Sequence, residues 1–305
     1  IDGWRLDVAR EVPIGFWKQW RNVVKTMNNQ SLIVGELWEL SPDFISEYGA
    51  FDALMNYNFA FAVNDFFIAD TNKISVDEFI QRLQKIDETY PYQNLFVLQN
   101  LLSSHDTERL SSMIKNSDRK YEYDANEGNA NYNPGKPGAE IYEKQKLIVA
   151  FQILYRGAPM IYYSDEVGMW GADDPHDRKP MIWDDLVYDN EIINEQSGFK
   201  TGFGSYSVEQ NKDLLKFYKE IIEIRNRNEA IKTGTLKFIY SDNENKTFVF
   251  ESVLADEKII CAFNLGEAEI TIPLDFEVIE LYSGNQETTI KSIAPKSFKI
   301  YKAKK

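Results

Sequence analysis

The 305-residue sequence predicts an α/β fold in two parts. Residues 1–231 read as about five strand–helix units of a parallel sheet or barrel, and residues 232–305 as an antiparallel β domain, a sandwich by its strand pattern. Short apolar runs alternate with amphipathic stretches up to Lys232 and give way to strict apolar–polar alternation after it. The length also suits one large domain of about 200–250 residues with a smaller one behind it. The first strand is Asp2-Gly3-Trp4-Arg5-Leu6-Asp7-Val8-Ala9 with its exit loop. Pro13 then announces a helix in which Phe16, Trp17, Trp20, Val23, Val24 and Met27 recur at helical spacing. Ser31–Gly35 and Phe51–Met55 read as buried strands, and helices follow over Phe59–Ala69 and Val76–Ile86. Leu95-Phe96-Val97-Leu98 reads as a further strand ending near Ser104, and Ser117–Ala139 as a long polar loop. A helix carrying Leu147, Val149, Ala150, Phe151, Ile153 and Leu154 is expected to end on Gly157 as its cap, ahead of a strand over Pro159–Tyr163. The polar loop Ser164–Asn190 has a length that usually signals function, and a last amphipathic helix runs from Leu214 to about Asn228. In the second part, strands are expected over Leu236–Tyr240, Thr247–Ser252, Lys258–Asn264, Ala268–Pro273, Val278–Tyr282 and Ser297–Tyr301. Asp242-Asn243 and Gly284-Asn285 supply turns between them.

Composition removes several functions. Lys+Arg is 34 against 48 for Asp+Glu, a net charge of −14, which argues against a nucleic-acid partner. No apolar run approaches the roughly 18–20 residues of a membrane span. One cysteine excludes an internal disulfide, and two histidines exclude a three-histidine metal site. His105-Asp106 and His176-Asp177 are too few donors to suggest a catalytic transition metal. The 42 aromatic residues suit sugar stacking and a large core equally.

In a parallel barrel, working residues stand at the carboxyl ends of the strands. The predicted strands end in Arg5-Leu6-Asp7, Gly35-Glu36-Leu37-Trp38, Ser104-His105-Asp106-Thr107-Glu108-Arg109 and Tyr163-Ser164-Asp165-Glu166. Three of these ends make a convergent acidic pocket. Glycosidic cleavage needs two carboxyl groups, and a third anion can stabilise the charge that develops on the sugar. Each acid taken singly has a plainer reading: Asp7 as a helix cap, Glu36 as a solvated loop residue. Spacing alone therefore leaves glycosidic cleavage as one of several acid-using chemistries.

Four blocks narrow the choice. Asp2–Ala9, Gly35–Trp38 and Asn100–Arg109 resemble three signature regions of the α-amylase family, glycoside hydrolase family 13, in the family's order. Pro159–Pro175, continuing through Asp177-Arg178-Lys179-Pro180-Met181, resembles the neopullulanase, cyclomaltodextrinase and maltogenic amylase subgroup. The resemblance implies a retaining α-glucan hydrolase acting on α-1,4 and, in some members, α-1,6 bonds of starch-derived oligosaccharides or cyclodextrins. It makes Asp7 the nucleophile, Glu36 the general acid and base, and Asp106 the transition-state stabiliser. Arg5 would pair with Asp7, and His105 would bond sugar hydroxyls. Asp174 and Arg178 would grip the next sugar, against a plainer reading as a loop ion pair. Trp38 would stack on the leaving-group side, or simply plug the barrel mouth. The pair Arg10-Glu11 follows the nucleophile; Glu11 leans toward the neopullulanase pattern and Arg10 departs from it. Glu39-Leu40 departs likewise from the subgroup's His-Asp.

By the family's order the chain opens at the fourth strand, so the resemblance implies strands 4 to 8 of a (β/α)8 barrel with a C-terminal β domain. The implied partners are an α-glucan or maltooligosaccharide substrate and either the N-terminal barrel half or a second copy of the chain, with no nucleic acid and no membrane. No cofactor is implied; Ca2+ belongs, where the family carries it, to parts beyond these residues. The competing expectation is an inactive fragment or a non-catalytic α-glucan-binding relative, which would not need both Asp7 and Glu36.

Overall fold

Five short strands form a wholly parallel sheet whose spatial order is their chain order. They are β1 (Gly3–Leu6), β2 (Leu32–Leu37), β3 (Ala53–Asn56), β4 (Gln99–Leu101) and β5 (Ala158–Met160). The structure is a computed structural model that describes residues 1–46, 49–71, 73–272, 277–282, 286–288 and 291–304. Registers such as Arg5 opposite Val34 and Glu36 opposite Met55 bring the strand ends to one rim. Among the described residues β1 and β5 each pair on one side only.

Helices α1 (Ile14–Met27), α2 (Tyr57–Val63), α3 (Val76–Thr89), α4 (Leu110–Lys115), α5 (Ala139–Leu154), α6 (Lys212–Arg227) and α7 (Glu229–Thr233) connect and flank the strands. α1 buries Trp17, whose indole N–H donates to the Ala9 carbonyl at 2.9 Å and ties the helix to the loop after β1. α3 starts where the Ser75 side chain accepts from the Glu78 amide at 3.1 Å. From Leu147 to Leu154 every residue of α5 is buried. A helix apolar on all sides must be covered on all sides. Phe151 explains the cover: its ring meets Phe59, Phe67 and Phe79 of the first part, and Phe248, Phe250 and Phe263 of the second.

The second part is a six-stranded antiparallel sheet in the order β13-β12-β15-β10-β9-β8, with a two-stranded ribbon β11-β14. The strands are β8 (Thr235–Asp242), β9 (Thr247–Leu254), β10 (Glu257–Asn264), β11 (Ile270–Thr271), β12 (Val278–Glu280), β13 (Gln286–Thr288), β14 (Ser292–Ile293) and β15 (Ser297–Ala303). Alternation along β9 and β10 sends Phe248, Phe250, Cys261 and Phe263 toward α5, and Val249, Ile260 and Ala262 toward Ile272 and Ile293 at the ribbon. The expected Pro273 strand end and Gly284-Asn285 turn lie outside the described residues. A further hairpin, β6 (Glu191–Ile193) with β7 (Gly204–Tyr206), was not legible in the sequence.

Three expectations need correction. Leu95–Phe96 closes a 3-10 turn (Tyr92–Phe96), and the strand begins only at Gln99. Leu95 and Leu98 are buried in the main core while Val97 is exposed, so the apolar run packs as a turn. The helix expected over 59–69 changes to a π-helical turn (Asn64–Ile68) after Val63. Gly157 is not the cap of α5, which ends at Leu154; at φ 120° it sits where a Cβ would lie 2.5 Å from the Asn100 amide nitrogen. No helix among the described residues is long and apolar enough to cross a membrane.

Candidate active site

β1 delivers Arg5 and, one residue past its end, Asp7. Val8 then adopts a left-handed conformation (φ 44°), and its amide donates to Glu36 Oε2 at 3.0 Å. That bond fixes the β1 exit loop to β2. Glu36 is nearly enclosed, 6% exposed, whereas the Asp7 side chain is 66% exposed. Arg5 joins them: one amino group of its guanidinium bonds Asp7, and the other lies 2.9 Å from Glu36 Oε2 and 3.9 Å from Asp106 Oδ2. Three carboxylates from three strand ends thus share one fixed cation, which offsets their mutual repulsion.

Asp106 stands on the loop after β4, where its amide donates to Ser104 Oγ at 3.1 Å. His105 Nε2 lies 3.3 Å from Asp106 Oδ2. Arg178 reaches in from the loop after β5: Nε donates to the His105 carbonyl at 2.8 Å, and Nη2 lies 3.4 Å from Asp106 Oδ1. The same Nε is 3.1 Å from Asp174 Oδ1. Asp174 and Arg178 therefore form the loop ion pair of the plainer reading, and Arg178 also touches the acidic cluster.

Asp7, Val8, Arg10, Glu36, Leu37, Trp38, Glu39 and Asp106 line a cleft of about 350 Å³. Trp38 is half-buried at the cleft. One ring face stacks on Tyr57 at 3.9 Å, while its Nε1 lies 3.4 Å from Glu36 Oε1 at the cleft wall. Arg10, the departure from the subgroup pattern, lines the cleft with its guanidinium on Glu39 (2.6 Å), Asp43 (3.1 Å) and Ser41 (2.8 Å). Its partner Glu39 is the other departure, so the two unusual residues compensate one another. Glu11 is exposed on the 3-10 turn Ala9–Glu11 and is not among the lining residues.

Sequence reasoning missed the residues behind the cleft. Tyr57 Oη meets Ser104 Oγ at 3.2 Å, and burial beside Glu36 and Asp106 pushes its phenol well above the usual range. Arg109 lies fully buried between the β4 and β5 loops. It donates to the carbonyls of Asp177 (2.7 Å) and Tyr163 and to Asp165 Oδ1 (3.1 Å), with Tyr162 stacked at 3.8 Å. Burial pushes Asp177 up to about 7 against the pull of Arg109, and burial beside Asp173 pushes Glu122 up to about 7. Glu108, two residues after Asp106, is buried and raised to about 8 by desolvation, although Tyr132 donates to it at 2.6 Å. Glu108 and Arg109 stood in the same block as His105 and Asp106, which was the available signal; Glu122 and Tyr57 carried none. Among the described residues no group of three or more His, Cys, Asp or Glu could hold a metal ion.

Residues 1–234 match the family described as alpha amylase, catalytic domain. The chain is 33% identical over 273 residues to neopullulanase 2 of Thermoactinomyces vulgaris, covering 89% of this chain and 38% of that protein. It is 36% identical over 275 residues to a cyclomaltodextrinase of a Bacillus species, covering 89% and 40%. A solved cyclomaltodextrinase structure superposes with a TM-score of 0.76 at 31% identity, over 100% of this chain and 46% of that one. The chain thus spans about two fifths of the length of these curated relatives.

Proposed function

The chain belongs to the α-amylase family, and from that premise we propose that it carries the catalytic half-site of a retaining α-glucan hydrolase of the neopullulanase and cyclomaltodextrinase kind. The observation that carries this reading is the convergence of Asp7, Glu36 and Asp106 on Arg5 at one wall of an open cleft. The substrate is an α-1,4-linked maltooligosaccharide or cyclodextrin, with α-1,6 bonds as a further target.

Asp7 is the exposed acid and Glu36 the enclosed one, which suits a nucleophile that must reach carbon and an acid that must shelter a proton. The Asp7 carboxylate attacks the anomeric carbon as the bond to the departing oxygen breaks. Glu36 gives that oxygen its proton. Water then adds to the anomeric carbon, returns a proton to Glu36 and releases Asp7 with the α configuration restored. Arg5 holds both carboxyls in place, and Asp106, braced by His105 and Arg178, grips the hydroxyls of the reacting sugar. Trp38 offers its free side to the leaving group, and Asp174 offers a contact on the opposite side. Glu11 remains a candidate contact further along the leaving-group side. A barrel pocket needs an opposite wall, because the sugar must be held from both sides to meet Asp7. That wall is supplied by an N-terminal barrel half or a second copy.

The test is hydrolysis of maltohexaose by the complete enzyme, with the anomeric signal of the first product followed by proton NMR. Retention is expected, and Asp7→Asn should lower kcat at least about a thousandfold while oligosaccharide binding persists. Inversion, or more than a few per cent residual rate, would remove Asp7 from the nucleophile's role.

A further inference from the structure

A second opening lies beside the cleft. Its volume is about 460 Å³, within the range of small-molecule sites, and its lining is Phe61, Asp65, Arg82, Lys120 and Tyr121. Four separate elements build it: Phe61 comes from α2, Asp65 from the π-helical turn, Arg82 from α3, and Lys120 and Tyr121 from the segment after α4. The two openings share a wall. Trp38 lines the cleft, Phe61 lines the second cavity, and their ring centres are 6.3 Å apart. Phe61 in turn meets Tyr121 edge-on at 5.4 Å. A row of half-buried rings, Trp38, Phe61 and Tyr121, therefore runs from the candidate acid Glu36 to the second cavity.

The polar groups of this cavity are nearly balanced in charge. Arg82 is bound through one amino group to Asp65 Oδ2 and through the other to Glu78 Oε1, both at 2.7 Å. Tyr121 Oη donates to the Leu102 carbonyl at 3.0 Å, which fixes its ring at the cavity wall. A guanidinium already satisfied by two carboxylates does not demand an anion. What the cavity offers is a set of hydrogen-bonding groups beside aromatic rings: Lys120 Nζ, the Arg82 Nε, and Asp65 Oδ1, which accepts from the Asn64 side-chain amide at 3.3 Å and has lone-pair capacity for a further donor. That combination suits a neutral ligand with apolar C–H faces and a rim of hydroxyls, which is a pyranose.

We infer that this cavity is a distal subsite for the same α-glucan chain, holding a glucosyl unit beyond those next to Asp7 and Glu36, on the Trp38 side. The inference rests on the glucan-hydrolase reading above. Trp38 and Phe61 form the path between the two sites, and Asp65 and Lys120 bond the outlying hydroxyls. The subsite favours long chains over short ones, because only a chain that spans both openings uses both sets of contacts. It also retains a long leaving group after cleavage, which favours repeated attack on one chain.

The test is calorimetric titration of the complete enzyme carrying Asp7→Asn with maltotriose and with maltoheptaose. Maltoheptaose should bind at least about tenfold more tightly. Lys120→Ala and Asp65→Asn should each weaken maltoheptaose about three- to tenfold and leave maltotriose unchanged, with the thermal midpoint of each variant measured alongside. Phe61→Tyr, which keeps the ring, should preserve the chain-length preference. Equal losses for both sugars, or no loss in Lys120→Ala, would overturn the subsite while leaving the hydrolase reading intact. Failure of the complete Asp7→Asn enzyme to bind either sugar would overturn the glucan reading, and the subsite with it.

Discussion

Glu108 shows how one residue couples the site to the pH of its surroundings. Its carboxyl is enclosed, and desolvation raises it from 4.5 to about 8. Below pH 4.5 it is protonated both folded and unfolded, so it costs nothing. Between about 4.5 and 8 the unfolded chain releases a proton that the folded chain keeps, and stability falls as pH rises. Glu122 and Asp177, each raised to about 7, act in the same direction. Glu108→Gln is neutral throughout and keeps an oxygen for the Tyr132 hydroxyl. Its thermal midpoint should therefore fall less than the parent's between pH 5 and 8, by a few degrees at the upper end, in scanning calorimetry. Parallel curves for the two proteins would show that Glu108 ionises freely. Asp52 works oppositely: although partly buried, it is held below the usual carboxylate range by Lys25 and Arg21, and that contribution is lost as pH falls through its folded value.

At the scale of elements, α5 and its exit carry the junction between the two parts. The last carbonyls of a helix need donors. Here a side chain from a different helix supplies them: Arg225 of α6, itself buried, donates to the carbonyls of Ile153 (2.7 Å), Tyr155 (3.0 Å) and Gly157 (2.5 Å). The same guanidinium fixes the turn that feeds β5, and β5 leads into the loop bearing Asp174 and Arg178. Arg225→Met fills the space but leaves three buried carbonyls without a donor, at about 1–3 kcal/mol each. The unfolding midpoint in urea should drop by the equivalent of about 3 kcal/mol or more. Lys in its place should recover only part of the loss, since an ammonium cannot spread over three acceptors as a planar guanidinium does. A change under about 1 kcal/mol in Arg225→Met would show that water satisfies the helix end instead. The failed expectation at Gly157 has the same origin, since a glycine near a helix end is a local signal and the real cap lies some 70 positions away in sequence.

Across the whole molecule, the parallel sheet has two outer strands, β1 and β5, each bonded on one side among the described residues. Beside β1, the exposed face of α1 presents Phe16, Val23 and Met27 near Trp4 and Leu32. Contiguous apolar surface beyond a few hundred Å² on a soluble monomer marks an interaction surface, and unpaired strand edges invite pairing. Residues 1–305 expressed alone should therefore self-associate, or bind a chain carrying the complementary barrel strands, and should hydrolyse starch poorly until that wall is present. Size-exclusion chromatography with light scattering, then a reducing-sugar assay on the same fraction, tests this. An active monomer of 35.4 kDa would refute it.

Asp7, Glu36, His105 and Asp106 could be picked out in the sequence because a parallel sheet in chain order carries successive strand ends to one rim, so local blocks suffice to bring them together, whereas Asp174 and Arg178, well beyond the end of β5, were named only by the family resemblance. The change of apolar period after Lys232 marked the antiparallel part for a similar reason: burial of one sheet face imposes alternation residue by residue. What lies between distant segments was decided only in three dimensions. The sharing of Arg5 with Glu36 and Asp106, the pairing of Arg10 with Glu39, the burial of Glu108 against Tyr132 and the capping of α5 by Arg225 join positions far apart in the chain, where packing rather than local spacing selects partners. Likewise the run Leu95–Leu98 is as apolar as a strand, yet the sheet paired with Gln99–Leu101. Hydrophobicity marks a segment for burial, whereas the hydrogen bonds offered by neighbouring strands choose which three residues enter the ladder.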